Sequence, residues 1–187
     1  SVLQIKQQLP RNSIAVGFDV DDTVLFSSPA FYYVAFNQDG ANGSNKYGPK
    51  PFEHEQAWKE INNQFDKFSL PKKIASRLID MHLSRGDQIY FITARQPSEQ
   101  EQLSALLQRI FDIPDMHPVI FMGQKSKAEP IRKLNIQLYY GDSDSDIQEA
   151  LEAGARAIRI LRAGNSTDPR KLQPGAFGEP VLINSDL

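Results

Sequence analysis

The chain has 187 residues, no cysteine and a formal net charge of −2, a length that supports one hydrophobic core with room for a small insertion. Without cysteine there is no disulfide, no thiolate metal site and no thiol nucleophile. With no basic run longer than Lys72-Lys73, the chain also lacks the electrostatic footprint of a nucleic-acid binder, and nothing approaches the ~20 apolar residues of a membrane span.

In chain order, the first apolar run covers residues 14–20 and has the composition of a buried strand. Residues 27–68 then break the strand–helix rhythm. This stretch is long for a connection after a strand, is rich in Gly, Asn and Gln over 37–50, and predicts a short helix over 54–65. An insert in this position is where a lid over a site would sit. Ile74, Leu78, Ile79, Met81 and His82 fall on overlapping helical faces, with a stop at Arg85-Gly86. Further strands are predicted over 88–93, 118–121, 136–140 and 157–161. Leu103, Leu106, Leu107 and Ile110 mark one intervening helix, and Ile147, Ala150, Leu151 and Gly154 another. Residues 163–187 are rich in Gly and Pro and end in a candidate edge strand at 181–183. Strands alternating with helices in this way imply α/β architecture, a Rossmann-like parallel sheet flanked by helices. The chain reads as a single domain, 1–187, carrying a cap insert at 27–68.

The polar residues cluster where those strands end. The first strand runs into Asp19-Val20-Asp21-Asp22-Thr23, the second into Thr93-Ala94-Arg95. Gln124-Lys125-Ser126-Lys127 follows the third, and Gly141-Asp142-Ser143-Asp144-Ser145-Asp146 the fourth. In an open α/β sheet these strand ends share one crevice. Crowded carboxylates repel unless protonated or neutralised by a cation, and oxygen-only ligands suit Mg²⁺. One carboxylate can then attack phosphorus and another, two residues on, protonate the leaving oxygen. A hydroxyl, backbone N–H groups and a lysine would hold the phosphoryl oxygens.

These segments resemble the four motifs of haloacid dehalogenase superfamily phosphatases: Asp19–Thr23, Thr93, Lys127, and Gly141-Asp142 through Asp146. Val16-Gly17-Phe18-Asp19-Val20-Asp21-Asp22-Thr23-Val24-Leu25-Phe26-Ser27-Ser28-Pro29 is similar to the signature of the bacterial class B non-specific acid phosphatases. So are Tyr140-Gly141-Asp142-Ser143-Asp144, Ile158-Arg159-Ile160-Leu161-Arg162-Ala163 and Gly175-Ala176-Phe177-Gly178-Glu179. The resemblance implies an aspartyl-phosphate mechanism with Asp19 as nucleophile and Asp21 as acid, then base. It implies one Mg²⁺ per subunit on Asp19, the Asp21 carbonyl and Asp142, with Asp146 steering metal-bound water. It places Thr93, Ala94, Arg95 and Lys127 (rather than Lys125) at the phosphate, and Phe31 and Trp58 at an apolar leaving group. Substrates would be small phosphomonoesters such as nucleotides and aryl phosphates, with some phosphotransfer to alcohols. The resemblance also implies a periplasmic homotetramer whose leader has been removed. Two departures bear on specificity: Ala94 stands where the family has Gly, and an aromatic pocket residue is replaced near Asp168.

Other chemistries fail on residues. The Asp-rich segment opening at Asp142 has Ile147 and Ala153 where a calcium loop needs Gly and Glu, and Trp58 stands where a zinc-protease motif after His54-Glu55 needs a second His. His82 and His117 show no partner pattern and read as a helix-face and a loop residue. A cation-binding module of the same fold without turnover remains the alternative, opposed by the intact Asp21.

Overall fold

The computed structural model describes residues 1–186 and alternates strands with helices along most of the chain. The strands are β1 (Ala15–Phe18), β2 (Leu25–Phe26), β3 (Leu70–Pro71), β4 (Gln88–Thr93), β5 (Ile120–Phe121), β6 (Ile136–Gly141), β7 (Arg156–Ile160) and β8 (Val181–Leu182). The helices are α1 (Val2–Gln8), α2 (Ser28–Phe36), α3 (Glu55–Asn63), α4 (Lys73–Ser84), α5 (Leu103–Phe111), α6 (Ala128–Lys133) and α7 (Asp144–Glu152).

Six strands form one parallel sheet in the order β5-β4-β1-β6-β7-β8. From β1 the chain steps outward through β4 to β5, then returns to the other side of β1 for β6, β7 and β8. That reversal opens a crevice at the carboxyl end of β1, where ligands of such sheets bind.

Both faces are covered, which is why these strands read as continuous apolar runs. On one face α1, α4 and α5 bring Ile5, Ile74, Leu78, Ile79, Leu103 and Leu107 against Val16, Phe18, Phe91, Leu138 and Tyr140. On the other, α6 and α7 bring Ile131, Ile147 and Ala150 against Ile92, Ile136, Tyr139 and Ala157. Tyr139 and Tyr140 point to opposite faces, as the pleat requires. The Tyr139 ring lies over Gly17, where a Cβ would stand 2.5 Å from its Cδ2, so only glycine fits at the centre of β1.

His82 sits on the helix face its sequence context suggests, but it has the partners that context did not show. It is fully buried, with Nδ1 2.7 Å from Asp87 Oδ2 and Nε2 2.9 Å from the Tyr140 hydroxyl. Asp87 also accepts from the Ile14 N–H at 2.9 Å and from Arg85 Nε at 2.8 Å. Asp87 lies just past the end of α4, but Tyr140 lies on β6, out of reach of local pattern.

Residues 27–69 leave and re-enter through a two-strand antiparallel ladder, Leu25 opposite Pro71 and Phe26 opposite Leu70. The segment has its own small core of Val34, Tyr47, Ala57, Trp58 and Ile61. Its polar stretch is ordered by side chains: Asn45 Nδ2 donates to the carbonyls of Val34 and Ala35, and Lys46 pairs with Glu60 at 2.7 Å. Helix α3 lies within the predicted 54–65. The ladder and α2 were not foreseen, since β3 carries a proline that argues against a strand, β2 is a short continuation of the first motif, and α2 (Ser-Pro-Ala-Phe-Tyr-Tyr-Val-Ala-Phe) is apolar all round and carries no amphipathic period.

Candidate active site

Asp19 directly follows β1, and its N–H donates to the Tyr140 carbonyl at 2.9 Å, extending the β1–β6 ladder one residue past the strand. The chain then tightens. The N–H groups of Val24 and Leu25 both donate to the Val20 carbonyl at 3.0 Å, and Asp22 N–H donates to the Leu25 carbonyl at 2.7 Å. Asp22 adopts φ +60°, a left-handed conformation that Asp tolerates better than most residues. This loop sends three carboxylates three ways.

Asp19 enters an acidic cluster. Asp19, Asp142 and Asp146, all buried, each offer a carboxylate oxygen within 4.8 Å of the others. Lys127, also buried, donates from Nζ to Asp19 Oδ1 at 2.5 Å and to Asp146 Oδ1 at 2.7 Å. The Thr23 hydroxyl lies 2.9 Å from Asp19 Oδ2 and 3.3 Å from Asp142 Oδ1. Asp142 is braced from behind by Arg162, whose Nη2 lies 2.5 Å from Oδ2. Asp146 divides its two oxygens: Oδ1 meets Lys127, while Oδ2 accepts the Ser143 N–H at 3.1 Å and so closes the capping box of α7. Gly141 makes this possible, since a Cβ there would lie 2.3 Å from the Asp146 Cβ.

Burial, with Asp146 and Asp142 alongside, pushes the Asp19 carboxyl well above its ordinary range despite Lys127. Burial and Asp146 push Asp142 up to about 6 against the pull of Arg162. For Asp146 burial is outweighed by Lys127 and the Ser143 contacts, and its carboxyl is held low. Three carboxylates so crowded share too little positive charge to be ionised together. All-oxygen donors at a spacing close to what one hard cation with ~2.1 Å bonds can bridge, and in need of charge, fit a divalent metal.

Asp21 turns the other way, onto Arg95. Nε donates to Asp21 Oδ2 at 2.9 Å and Nη2 to Oδ1 at 2.7 Å, with the Thr93 hydroxyl 3.3 Å from Oδ2. Burial alone would raise the Asp21 carboxyl, but the Arg95 charge and hydrogen bonds hold it below its usual range. Asp22 turns toward a third side of the crevice, accepting from Ser166 Oγ at 2.5 Å and lying 3.5 Å from Arg162 Nε.

The crevice encloses about 760 Å³. Every site residue expected from sequence except Thr93 lines it directly: Asp19, Asp21, Phe31, Trp58, Ala94, Arg95, Lys127, Asp142 and Asp146. Thr93 is fully buried beneath it. Phe31, Phe52 and Trp58 form one wall with ring centroids 5.8–6.0 Å apart. Asp168 and Arg170 also line the crevice, an ion pair at the position where the sequence departs from the family's aromatic residue. Lys127 is the buried lysine and Lys125 an exposed one at the rim. Asp22, Asp66 and Arg162 had no role in the sequence reading; Arg162 lay within a matched segment, but its contact with Asp142 crosses 20 residues.

Known proteins place this geometry. Residues 2–168 match the family described as HAD superfamily, subfamily IIIB (acid phosphatase). The chain is 45% identical over 196 residues to a class B acid phosphatase of Salmonella typhi, 46% over 196 to one of Citrobacter rodentium and 43% over 195 to one of Morganella morganii. Each alignment covers 100% of this chain and 79% of the relative. In fold the chain is similar to a haloacid dehalogenase-like hydrolase of Streptococcus pneumoniae, with TM-score 0.57 and 16% identity over 82% of this chain and 86% of that one. Family members use a divalent metal, and the cluster is compatible with one. Because the match spans every strand end that feeds the crevice, the chain belongs to the subfamily IIIB acid phosphatases of the haloacid dehalogenase superfamily, hydrolases of phosphate esters.

Proposed function

We propose that this phosphatase works through an aspartyl-phosphate on Asp19, with Asp21 as the proton carrier. The Asp19 carboxylate attacks phosphorus, the bond from phosphorus to the ester oxygen breaks, and Asp21 delivers a proton to that oxygen. Asp21 then takes a proton from water as the water oxygen attacks the same phosphorus. The bond to Asp19 breaks, freeing phosphate and the carboxylate. The observation that carries this reading is the division of labour on one tight loop. Asp19 lies among carboxylates and Lys127, where a bound cation would keep it ionised, whereas Asp21, two residues on, lies against Arg95 outside the cluster, where the negative charge of a bound ester would raise its carboxyl toward protonation.

The Ala94 N–H and Lys127 face the phosphate side above the buried Thr93, and Lys127 offsets charge on the transferring oxygens; Arg95, whose five N–H groups are directed at Asp21, Asp66 and Asn62, acts on the reaction through Asp21. Asp19, Asp142, Asp146 and the Asp21 carbonyl would hold one Mg²⁺, which when bound supplies positive charge that keeps Asp19 ionised and stabilises the phosphoryl group. The aromatic wall of Phe31, Phe52 and Trp58 suits the apolar part of a nucleotide or aryl leaving group, and residues 27–68 act as the cap that carries it. We also infer, from the resemblance to class B enzymes, a periplasmic homotetramer. Tyr32 and Phe36, exposed and adjacent on α2, offer apolar surface for such an assembly. Among the described residues no helix is long and apolar enough to cross a membrane.

Hydrolysis of aryl phosphates and nucleotides should stop with EDTA and return with Mg²⁺. Asp19→Asn should abolish turnover while substrate still binds; turnover surviving either treatment would overturn the assignment.

A further inference from the structure

Arg95 has a second set of partners that the reaction above does not use. The side chain is 1% exposed and is gripped on two edges. One edge forks onto Asp21, as described. The other forks onto Asp66, Nη1 to Oδ2 at 2.6 Å and Nη2 to Oδ1 at 2.9 Å, with Asn62 Oδ1 3.3 Å from Nη1. The Phe31 ring covers one face, 5.5 Å from the guanidinium carbon. Asp66, Asn62 and Phe31 all belong to the insert.

These holders are themselves fixed. Asp66 accepts from the Ser69 hydroxyl at 3.3 Å and the Ser69 N–H donates to its carbonyl at 2.9 Å. Asn62 Nδ2 donates to the Gln96 carbonyl at 2.9 Å and to Ser98 Oγ at 3.1 Å, joining α3 to the loop after β4. Asp21, in contrast, is half-buried on a loop, and its two shortest contacts come from Arg95, with the Thr93 hydroxyl further off at 3.3 Å. A long arginine side chain held at one edge could still pivot; planar forks at both edges fix it.

We propose that Asp66 is a positioning residue for proton transfer: it fixes Arg95 from the insert side, and Arg95 in turn fixes the Asp21 carboxylate at the scissile oxygen. The inference rests on Asp21 being the proton carrier. The insert is then more than a wall for the leaving group, because one of its buried carboxylates sets the geometry of the acid.

The test compares kcat/KM for phenyl phosphate and p-nitrophenyl phosphate, esters of matching shape whose leaving groups differ in their need for a proton. kcat/KM covers steps through leaving-group departure, and its ratio between the two esters is independent of how much folded enzyme is present. Asp66→Asn should cost phenyl phosphate about tenfold or more beyond its loss on p-nitrophenyl phosphate, the scale on which misplacing or losing an acid acts. Asp66→Glu should restore part of the ratio. Should neither variant be recovered, Asn62→Ala removes a neutral acceptor from the same guanidinium and should shift the ratio in the same direction. Asp21→Asn is the control and should shift it further. Equal losses on both esters in the insert variants, or no loss, while Asp21→Asn discriminates, would reduce Asp66 to a structural tie and overturn the inference alone. Equal losses in Asp21→Asn would overturn the proton-carrier reading and this inference with it.

Discussion

Lys127 holds two of the three clustered carboxylates, and its own ammonium is pinned in the charged state: burial opposes the charge, but Asp146 and Asp19 outweigh it and raise its pKa well above the ordinary lysine range. Lys127→Met leaves Asp19 and Asp146 facing each other in a buried site with no counter-charge. We expect it to cost ~3–5 kcal/mol of stability in metal-free protein and ~100-fold or more in kcat. Mg²⁺ should return part of the stability and little of the rate. Urea unfolding with and without the cation checks the first, and undiminished metal-free stability would contradict it. Asp19, Asp21, Thr93, Lys127, Asp142 and Asp146 were legible in the sequence because each stands just past an apolar run, or a fixed short distance beyond one. Asp66 and Asn62 were not. Nothing in Asn62-Asn63-Gln64-Phe65-Asp66 distinguishes them from solvated polar residues, and their partner Arg95 lies some thirty positions on.

At the scale of elements, β6 and α7 meet through Gly141 and Asp146 with no space between them. Gly141→Ala should cost ~1–3 kcal/mol, as overpacking does, and should weaken Mg²⁺ binding more than substrate binding, since Asp146 is the atom set displaced; calorimetric titration of the cation would show it, and unchanged affinity would count against Asp146 in the metal site. The α4–β6 contact carries a pH signature. Burial holds the His82 imidazole below its ordinary 6.5 although Asp87 pulls the other way. For Asp87, burial is outweighed by His82, the Ile14 N–H and Arg85, so its carboxyl sits below its ordinary 3.8. The unfolded chain therefore binds protons that the fold resists. The His82 contribution is present above pH 6.5 and lost as pH falls below it, and the Asp87 contribution is lost further down, below 3.8. Between pH 7.5 and 5.5 wild-type protein should lose more stability than His82→Gln under identical conditions, and equal slopes would contradict this. The strands β1, β4, β6 and β7 were readable from buried apolar runs, as were the short β5 at the end of its apolar run and the edge strand near 181–183. The β2–β3 ladder and α2 were not, because β3 carries a proline that argues against a strand and β2 is a short continuation of the first motif, while an all-apolar helix has no period to read.

Across the whole molecule, charge and topology converge on one place. Seven carboxylates line the crevice against five Arg and Lys side chains, so a divalent cation brings the lining to neutrality before substrate arrives. Mg²⁺ at 100 times its Kd should stabilise the fold by ~2.7 kcal/mol, read as a shift in the unfolding midpoint, with Asp142→Asn reducing the shift; an equal shift in that variant would place the ion elsewhere. The sheet supplies Asp19, the acidic cluster and Lys127, and the insert supplies the aromatic wall and Asp66. The decisive measurement is the site of covalent phosphate. Enzyme mixed with labelled substrate, quenched in acid within one turnover and digested, should carry the label on the peptide containing Asp19 as an acyl phosphate cleaved by hydroxylamine. Label on any other residue, or turnover with no covalent phosphate at any quench time, would contradict it.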